Sequence, residues 1–385
     1  MRLGTGILLM AGLVAAGATL AARQQGQEQI PKPVLTEETW AISQGWSLLA
    51  AGDPVKAASY ADQVLAKYPR SIAAAALRIE AEIARGGGLA GLAAYERWLG
   101  TRKIEDGYLL RRAARAVLWE STANPLVAAD ALEHLAFDDD AEARAQLARR
   151  MVAGGFAETR ALARIGDPGA VKQLIQQTEA IPGSKQRQIE ALIESKSPLA
   201  APALIRLLKD TNNPDSIASA ADGLGTLNAR DAIPQLQKIY GDVSQLPSVR
   251  FGAAAGLYRM GDLTGISMLQ ERLNSDFPYV SVDTARRMSG NPDGAWKAAA
   301  RKGLTDQDPG VRLKAAELLA PTDREVVKDT LEALLLDSNQ AIRELAGKVM
   351  VKAIAGDFAT FRRFLPSGDP AIRVAAAGRI LELTR

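Results

Sequence analysis

Few side chains in this sequence could carry chemistry, and their spacing argues against most of it. The 385 residues contain no cysteine and one histidine, His134, in the run ALEHLAF. The lack of cysteine excludes disulfides, thiolate metal sites, covalent haem attachment, a cysteine nucleophile and a lipid anchor on cysteine. A lone imidazole lacks the convergent partners of a metal site or a general base, so His134 reads as an ordinary helix residue. Asp138, Asp139 and Asp140 line up three carboxylates, as a hard cation would need, but no glycine-anchored calcium loop surrounds them. They read as a helix start, where the helix dipole favours negative charge. Gly86, Gly87 and Gly88 lack the preceding strand and the Lys–Ser/Thr pair of a phosphate-cradling loop, which leaves a loose turn or a hinge.

The remaining candidates are arginines at a fixed interval. Arg312, Arg343 and Arg373 are 31 and 30 residues apart, and Arg250 lies two such steps before Arg312. A column of guanidiniums could bind a ligand. Asp308 and Asp369, however, stand one helical turn before Arg312 and Arg373. An arginine placed there can span the seam between neighbouring hairpins and pair with carboxylates or helix-end carbonyls. Arg250, Asp308, Arg312, Arg343, Asp369 and Arg373 are therefore expected to form a structural ladder. No catalytic, cofactor-binding or metal-binding residue is expected, and the chain is not expected to be an enzyme.

The elements that must position these residues are repeated helical hairpins. In DQDPGVRLKAAELL, Asp306 to Leu319, Asp308 suits a helix cap and Pro309 the first helical position. Val311, Ala315, Leu318 and Leu319 then fall on one face. Pro321 and Asp323 end this helix and start a second, over Arg324 to Leu336, with its own apolar side. Near-copies follow in LDSNQAIRELAGKVM and SGDPAIRVAAAGRIL. Stepping back by 31 residues reaches Ser281 and then Arg250, and 32 further back lies Ala218. A period of this size means stacked supersecondary units, none of which buries its apolar face alone. The expected fold is all-α, an α-solenoid of stacked helical hairpins.

Composition agrees. Aromatics are 5% of the chain, and 24% of residues are charged with a net +3, well mixed rather than gathered in a basic stripe. Nucleic-acid binding is not expected. At the N-terminus, Arg2 precedes an apolar run to Ala22 with small residues for cleavage, the pattern of a secretory signal. The same run is long enough for an uncleaved single-span anchor. Residues 1–22 are thus read as signal peptide or anchor, 23–35 as a linker with Pro31 and Pro33. The body is placed outside the cytoplasm, secreted or periplasmic, in a bacterial envelope.

Two resemblances refine this. WAISQGWSLLAAGDPVKAASYADQVLAKYP resembles a tetratricopeptide repeat, with Gly45, Gly52, Ala57 and Pro69 at the family's small-residue positions and closing proline. Gly86 and Gly91 recur one period later, although Ile79 replaces the Gly45 equivalent. Residues 36–137 are read as such hairpins. Residues 138–385 resemble HEAT repeats of the short bacterial class also found in phycobilisome lyase subunits. The marks are Asp-Pro turns, Val/Ile-Arg pairs, paired alanines and Gly-Asp turns, as in ETRALARIGDPGAVKQLI and VRFGAAAGLYRMGDLTGISML. Further turns fall at Asn228–Ala229 and Asn291–Pro292.

The resemblance implies a scaffold that binds another protein or an extended peptide of the cell envelope along a curved face, with no cofactor. A membrane is involved only through an uncleaved N-terminal segment. The alternative is a lyase-like, cofactor-handling repeat protein. The second helix of each hairpin is expected to line the concave face. Tyr240, Trp296 and Phe361 are expected as exposed anchors there, and Lys297 and Arg301 as charges beside Trp296.

Overall fold

Prolines mark many of the helix starts. Among the described residues seven helices begin with one, because the first turn has no use for the missing N–H. The computed structural model describes residues 36–385 apart from 103, 181–184, 210–212, 291–293 and 354–357. The segments expected as signal peptide or anchor (1–22) and as linker (23–35), and the expected Asn291–Pro292 turn, lie outside the described residues. Among the described residues the chain forms 21 α-helices, one 3-10 turn and no strand. It divides into two compact units, Met1–Ala113 and Ala114–Arg385, with the boundary inside a helix, Gly107–Ser121.

The first unit contains α1 (Glu37–Ala50), α2 (Pro54–Lys67), α3 (Ile72–Leu99) and the start of α4 (Gly107–Ser121). Thr36, Asp53 and Ser71 cap the first three through their side chains. Alanines dominate the small core, Ala57, Ala58, Ala61 and Ala81 around Leu77. Gly45 lies so close to Leu77 that an added Cβ would stand 2.2 Å from Leu77 Cδ2. Gly87, at φ 79 and ψ −169, kinks α3, so the glycine triplet is a break within a helix.

The second unit continues with α5 (Ala128–Phe137), α6 (Ala141–Val152), α7 (Phe156–Arg164), α8 (Pro168–Ala180), α9 (Gln186–Glu194) and α10 (Ala200–Leu207). Next come α11 (Pro214–Thr226), α12 (Ile233–Gly241) after the 3-10 turn, α13 (Pro247–Arg259), α14 (Ile266–Leu273), α15 (Pro278–Met288) and α16 (Trp296–Gly303). The chain ends with α17 (Pro309–Leu319), α18 (Arg324–Leu334), α19 (Gln340–Ala353), α20 (Phe358–Phe364) and α21 (Pro370–Leu383).

Odd-numbered members from α5 onward are the first helices of their hairpins. Each packs directly on the next first helix along the row. The last, α21, packs back on α5, so the solenoid of this unit closes on itself. The second helices rest on the first helices beside them and scarcely touch one another. In a curved double layer the row whose members touch is the one with the shorter circumference. The first helices therefore form the inner row and the second helices the outer one. This reverses the expected assignment of the concave face, which was made from hairpin order without the curvature.

Backbone approach makes the inner row tight. A Cβ on Gly225 of α11 would stand 2.6 Å from the Gly256 backbone of α13, and one on Gly252 would stand 2.4 Å from the Ala218 carbonyl oxygen. No side chain fits between those two helices. Inner helices are buried on most sides: Val311, Leu313, Ala315, Ala316 and Leu319 of α17 are all core. Each fully buried Val or Leu contributes about 1.5–3 kcal/mol, against about 0–1 kcal/mol for an exposed ion pair. Aliphatic contacts, not charges, hold the stack.

Candidate functional site

The periodic arginines come first, since they are the most regular polar feature. Arg312 donates from Nη1 to the carbonyls of Asp306 and Gln307 at 2.8 and 2.9 Å. Arg343 does the same to Asp337 and Ser338 at 2.7 and 2.9 Å. Arg373 reaches the Ser367 carbonyl with two nitrogens, at 3.0 and 2.6 Å. Arg250 donates to the Tyr240 carbonyl at 2.8 Å and lies over the Tyr240 ring. Asp308 accepts from the Gly310 amide, and Asp369 from Ala371 and Ile372. At Ser281, where the arginine is missing, the hydroxyl donates to the Leu273 carbonyl at 2.8 Å. These groups fasten the turn that enters each inner helix. Their donors are turned into the backbone, not toward an open face.

The inner helices keep one polar stripe on the side away from the outer row. Asp130 and Glu133 lie on it in α5, Arg160 and Arg164 in α7, Glu190 and Glu194 in α9. Asp222, Arg259, Asp283 with Arg286, and Lys348 with Lys352 continue it around the row. Neighbours pair: Arg164 with Glu133 at 3.1 Å, Arg160 with Glu194 at 2.6 Å, Arg259 with Asp222 at 3.4 Å. Three pairs skip a helix, at two crossings. From α15, Arg287 reaches Asp222 of α11 at 2.8 Å, passing over the Phe251 ring of α13, and Arg286 reaches the same carboxylate at 3.9 Å. Lys348 of α19 reaches Asp130 of α5 at 3.4 Å, across α21.

The second crossing is where the solenoid closes. His134 packs its ring on Gly378, where a Cβ would stand 2.4 Å away, and its Nδ1 is 3.7 Å from Glu382 Oε1. Arg385 pairs with Asp139 at 2.8 Å and lies over the Phe137 ring. Burial lowers the pKa of His134, against the opposing pull of Glu382 and Asp130. Burial pushes Glu133 up to about 7 despite Arg164 beside it. His134 is thus part of a structural closure. The aspartate run is equally committed: Asp140 caps α6, and Asp138 and Asp140 both hold Arg115. Among the described residues no group of three or more His, Asp or Glu is placed to hold a metal ion.

The expected anchors are placed otherwise than the sequence suggests. Trp296 is 5% exposed and Phe361 is fully buried, so both are core residues and not exposed anchors. Their helices are amphipathic, and each ring falls on the apolar side. Lys297 lies over the Trp296 ring, Arg301 pairs with Asp323 at 3.0 Å, and Tyr240 is half-buried under Arg250. Lys297 and Arg301 belong to the outer row.

Among the exposed apolar residues of the second unit, two stand where the repeat otherwise places a cap. Seven helices begin with proline, and in five the preceding residue is a capping Asp or Asn: Asp53, Asp167, Asn213, Asp308 and Asp369. In the other two, α13 and α15, it is Leu246 and Phe277, and neither helix has a side-chain cap. Their backbones still hold cap geometry, with φ and ψ of −58 and 145 at Leu246 and −87 and 108 at Phe277. Asp308 has −75 and 117. Leu246 is 54% exposed and Phe277 72%, with Val243 and Tyr279 exposed beside them. A stabilising cap has been given up for solvent-facing apolar surface, the kind of local conflict that functional sites show. The signal was present in the sequence as LP and FP among DP and NP helix starts, and spacing arguments passed over it.

Residues 201–289 match the family of HEAT repeats, a stretch that contains α11 to α15 and both of these residues. No curated protein matches the sequence. Among solved structures, human deoxyhypusine hydroxylase in complex with glycerol is similar at 19% identity, covering 59% of this chain and 90% of that one. The TM-score is 0.30, too low to support an argument about this chain.

Proposed function

We propose that the protein is an extracytoplasmic scaffold: a HEAT-type solenoid that binds another protein or an extended peptide of the cell envelope and performs no catalysis of its own. One observation carries this reading. Charged side chains of the inner stripe are largely spent on one another, whereas Leu246 and Phe277 stand exposed at positions where the repeat otherwise places a cap. Uncovered apolar surface next to rigid helix ends is what a binding face offers.

The location rests on the sequence, on Arg2 and the apolar run to Ala22. The bacterial HEAT class rests on the Asp-Pro and Val/Ile-Arg register. For the first unit, a tetratricopeptide-like reading is supported by Gly45, which stands against Leu77 and Tyr60 where α1, α2 and α3 meet. The test is capture from envelope extract with the full chain as bait. A stoichiometric protein partner is expected. Recovery of none, or the chain found in the cytoplasm after fractionation, would remove the reading.

A further inference from the structure

At several joints of the inner row a glycine on one helix leaves a gap that a side chain of the next helix fills. A Cβ on Gly223 of α11 would stand 2.4 Å from Ile193 Cδ1 of α9, and one on Gly347 of α19 would stand 2.3 Å from Ile372 Cγ1 of α21. At the joint that closes the row, the gap over Gly378 of α21 is filled by the ring of His134 from α5. Two joints are thus plugged by isoleucine and the closing one by a titratable group. The His134 side chain is 26% exposed, so a proton can reach it from solvent. The two helices run parallel, since His134 meets Gly378 and, further along both, Asp139 meets Arg385.

Charged groups stand around His134 on every helix packed against α5. The helix itself carries Asp130 and Glu133 and ends at Asp138; α6 brings Arg144, α7 Arg160 and Arg164, α19 Lys348 and Lys352, and α21 Arg379, Glu382 and Arg385. The carboxylates among them already hold cations. Asp130 has Lys348 at 3.4 Å, Glu133 has Arg164 at 3.1 Å, Glu382 has Arg379 at 2.8 Å and Asp138 has Arg115 at 3.1 Å. Glu382 comes within 3.7 Å of the ring nitrogen, beyond hydrogen-bond distance. A proton on His134 therefore adds a cation where Arg164, Lys348, Lys352 and Arg379 already outnumber Asp130, Glu133 and Glu382. Burial acts in the same sense, holding the imidazole pKa below its ordinary value against the pull of Glu382 and Asp130. Parting the helices returns the ring to water and removes both penalties.

We propose that the joint between α21 and α5 is a pH-operated latch: neutral His134 holds the row of repeats closed, and its protonation parts the two helices and opens the solenoid. Closure excludes the proton, so the closed form is fully favoured above about pH 6.5, the ordinary imidazole value, and loses ground as pH falls below it, by up to about tenfold in the closed-to-open ratio per pH unit. Opening separates Lys348 from Asp130 and Arg385 from Asp139 and gives solvent access to the polar stripe of the inner row. It does not require unfolding, because α21 stays packed on α19 and α20, and α5 on α6 and α7. Glu133 keeps Arg164 of α7, a pair that does not cross the joint. The inference is independent of what the scaffold binds.

The test uses the full chain, which has no cysteine, so Leu126→Cys/Gly368→Cys accepts two spin labels at chosen places. Both positions lie at the N-terminal ends of the two helices, Leu126 at 86% exposure and Gly368 with open space where a side chain would go. Distances between the labels are measured by electron resonance at about pH 7.5 and about pH 5, on either side of the ordinary imidazole value. One separation is expected at the higher pH. A second, longer population should appear at the lower pH and vanish on neutralisation, with far-UV circular dichroism unchanged. His134→Leu, which supplies an aliphatic plug like those at Gly223 and Gly347, should keep the single separation at about pH 5; His134→Gln should do the same and guards against crowding of leucine at Gly378. No longer population in the parent at about pH 5, the same opening in both His134 variants, or opening seen only together with loss of helix would overturn the proposal.

Discussion

Phe277→Asp should make the protein more stable, although it replaces an aromatic residue by a charge. Phe277 already has the backbone conformation of a helix cap, and Pro278 follows it as Pro309 follows Asp308. An aspartate there can accept from the Tyr279 or Val280 amide, as Asp369 accepts from Ala371 and Ile372. Such a cap stabilises by about 0.5–2 kcal/mol, typically about 1. Charge at the helix N-terminus adds about 0.3–1 kcal/mol, part of which repulsion from Asp276 removes. The loss is small, because Phe277 is 72% exposed. Only about a quarter of the roughly 1.5–3 kcal/mol for a buried aromatic is forfeited, about 0.5 kcal/mol. The net gain is about 0.5–1 kcal/mol, or about 1–4 °C in Tm for a unit of this size. Calorimetric melts should compare the wild type, Phe277→Asp and Phe277→Ala. The alanine variant loses the same contact and gains no cap, so the gap between the two variants isolates the cap at about 1 kcal/mol. Hydrogen exchange at the first turn of α15 should slow in the aspartate variant alone. If Phe277→Asp melts no higher than Phe277→Ala, Phe277 does not sit where a cap belongs, and the argument from it fails.

Three further outcomes follow from the packing. Val311→Asp places a carboxylate at a core position that is 4% exposed and should unfold the neighbourhood, whereas Arg312→Ala should cost only about 1–2 kcal/mol for its carbonyl bonds; chemical denaturation of both variants checks the order. Gly378→Ala pushes a methyl against the His134 ring and should destabilise by about 1–3 kcal/mol, with His134→Ala restoring most of the loss, a coupling that a double-mutant cycle reads directly. Glu133 has its folded pKa raised to about 7, so the folded state holds a proton that the unfolded state has released, and its contribution falls as pH rises from about 4.5 to 7, by up to about 1.4 kcal/mol per pH unit. His134, with its pKa lowered, acts with the opposite sign below about 6.5, so Glu133→Gln should flatten the fall in denaturation midpoints across that window and leave a rise with pH.

Local signals were sufficient for the helices. Asp and Asn before proline, the three-and-four spacing of Val311, Ala315, Leu318 and Leu319, and the recurring interval from Arg250 to Arg373 specify hairpins and their stacking. Each depends only on residues within one or two turns, or on repetition that is visible along the chain. The turn-fastening arginines were legible for the same reason, since Arg312 bonds carbonyls only five and six residues away.

Curvature was not legible. It accumulates from small rotations between repeats, and these depend on backbone approach at places such as Gly225 against Gly256, a contact between residues in different hairpins. That sum decided that the helices bearing Val/Ile-Arg lie inside and that α21 returns to α5. It also gave His134 its place against Gly378, across more than 240 residues of chain. Sequence alone determined the hairpins and how they repeat, because those interactions are short in range. Only the tertiary structure decided which row faces inward and which apolar side chains stay uncovered, because both depend on where the row of repeats ends up in space.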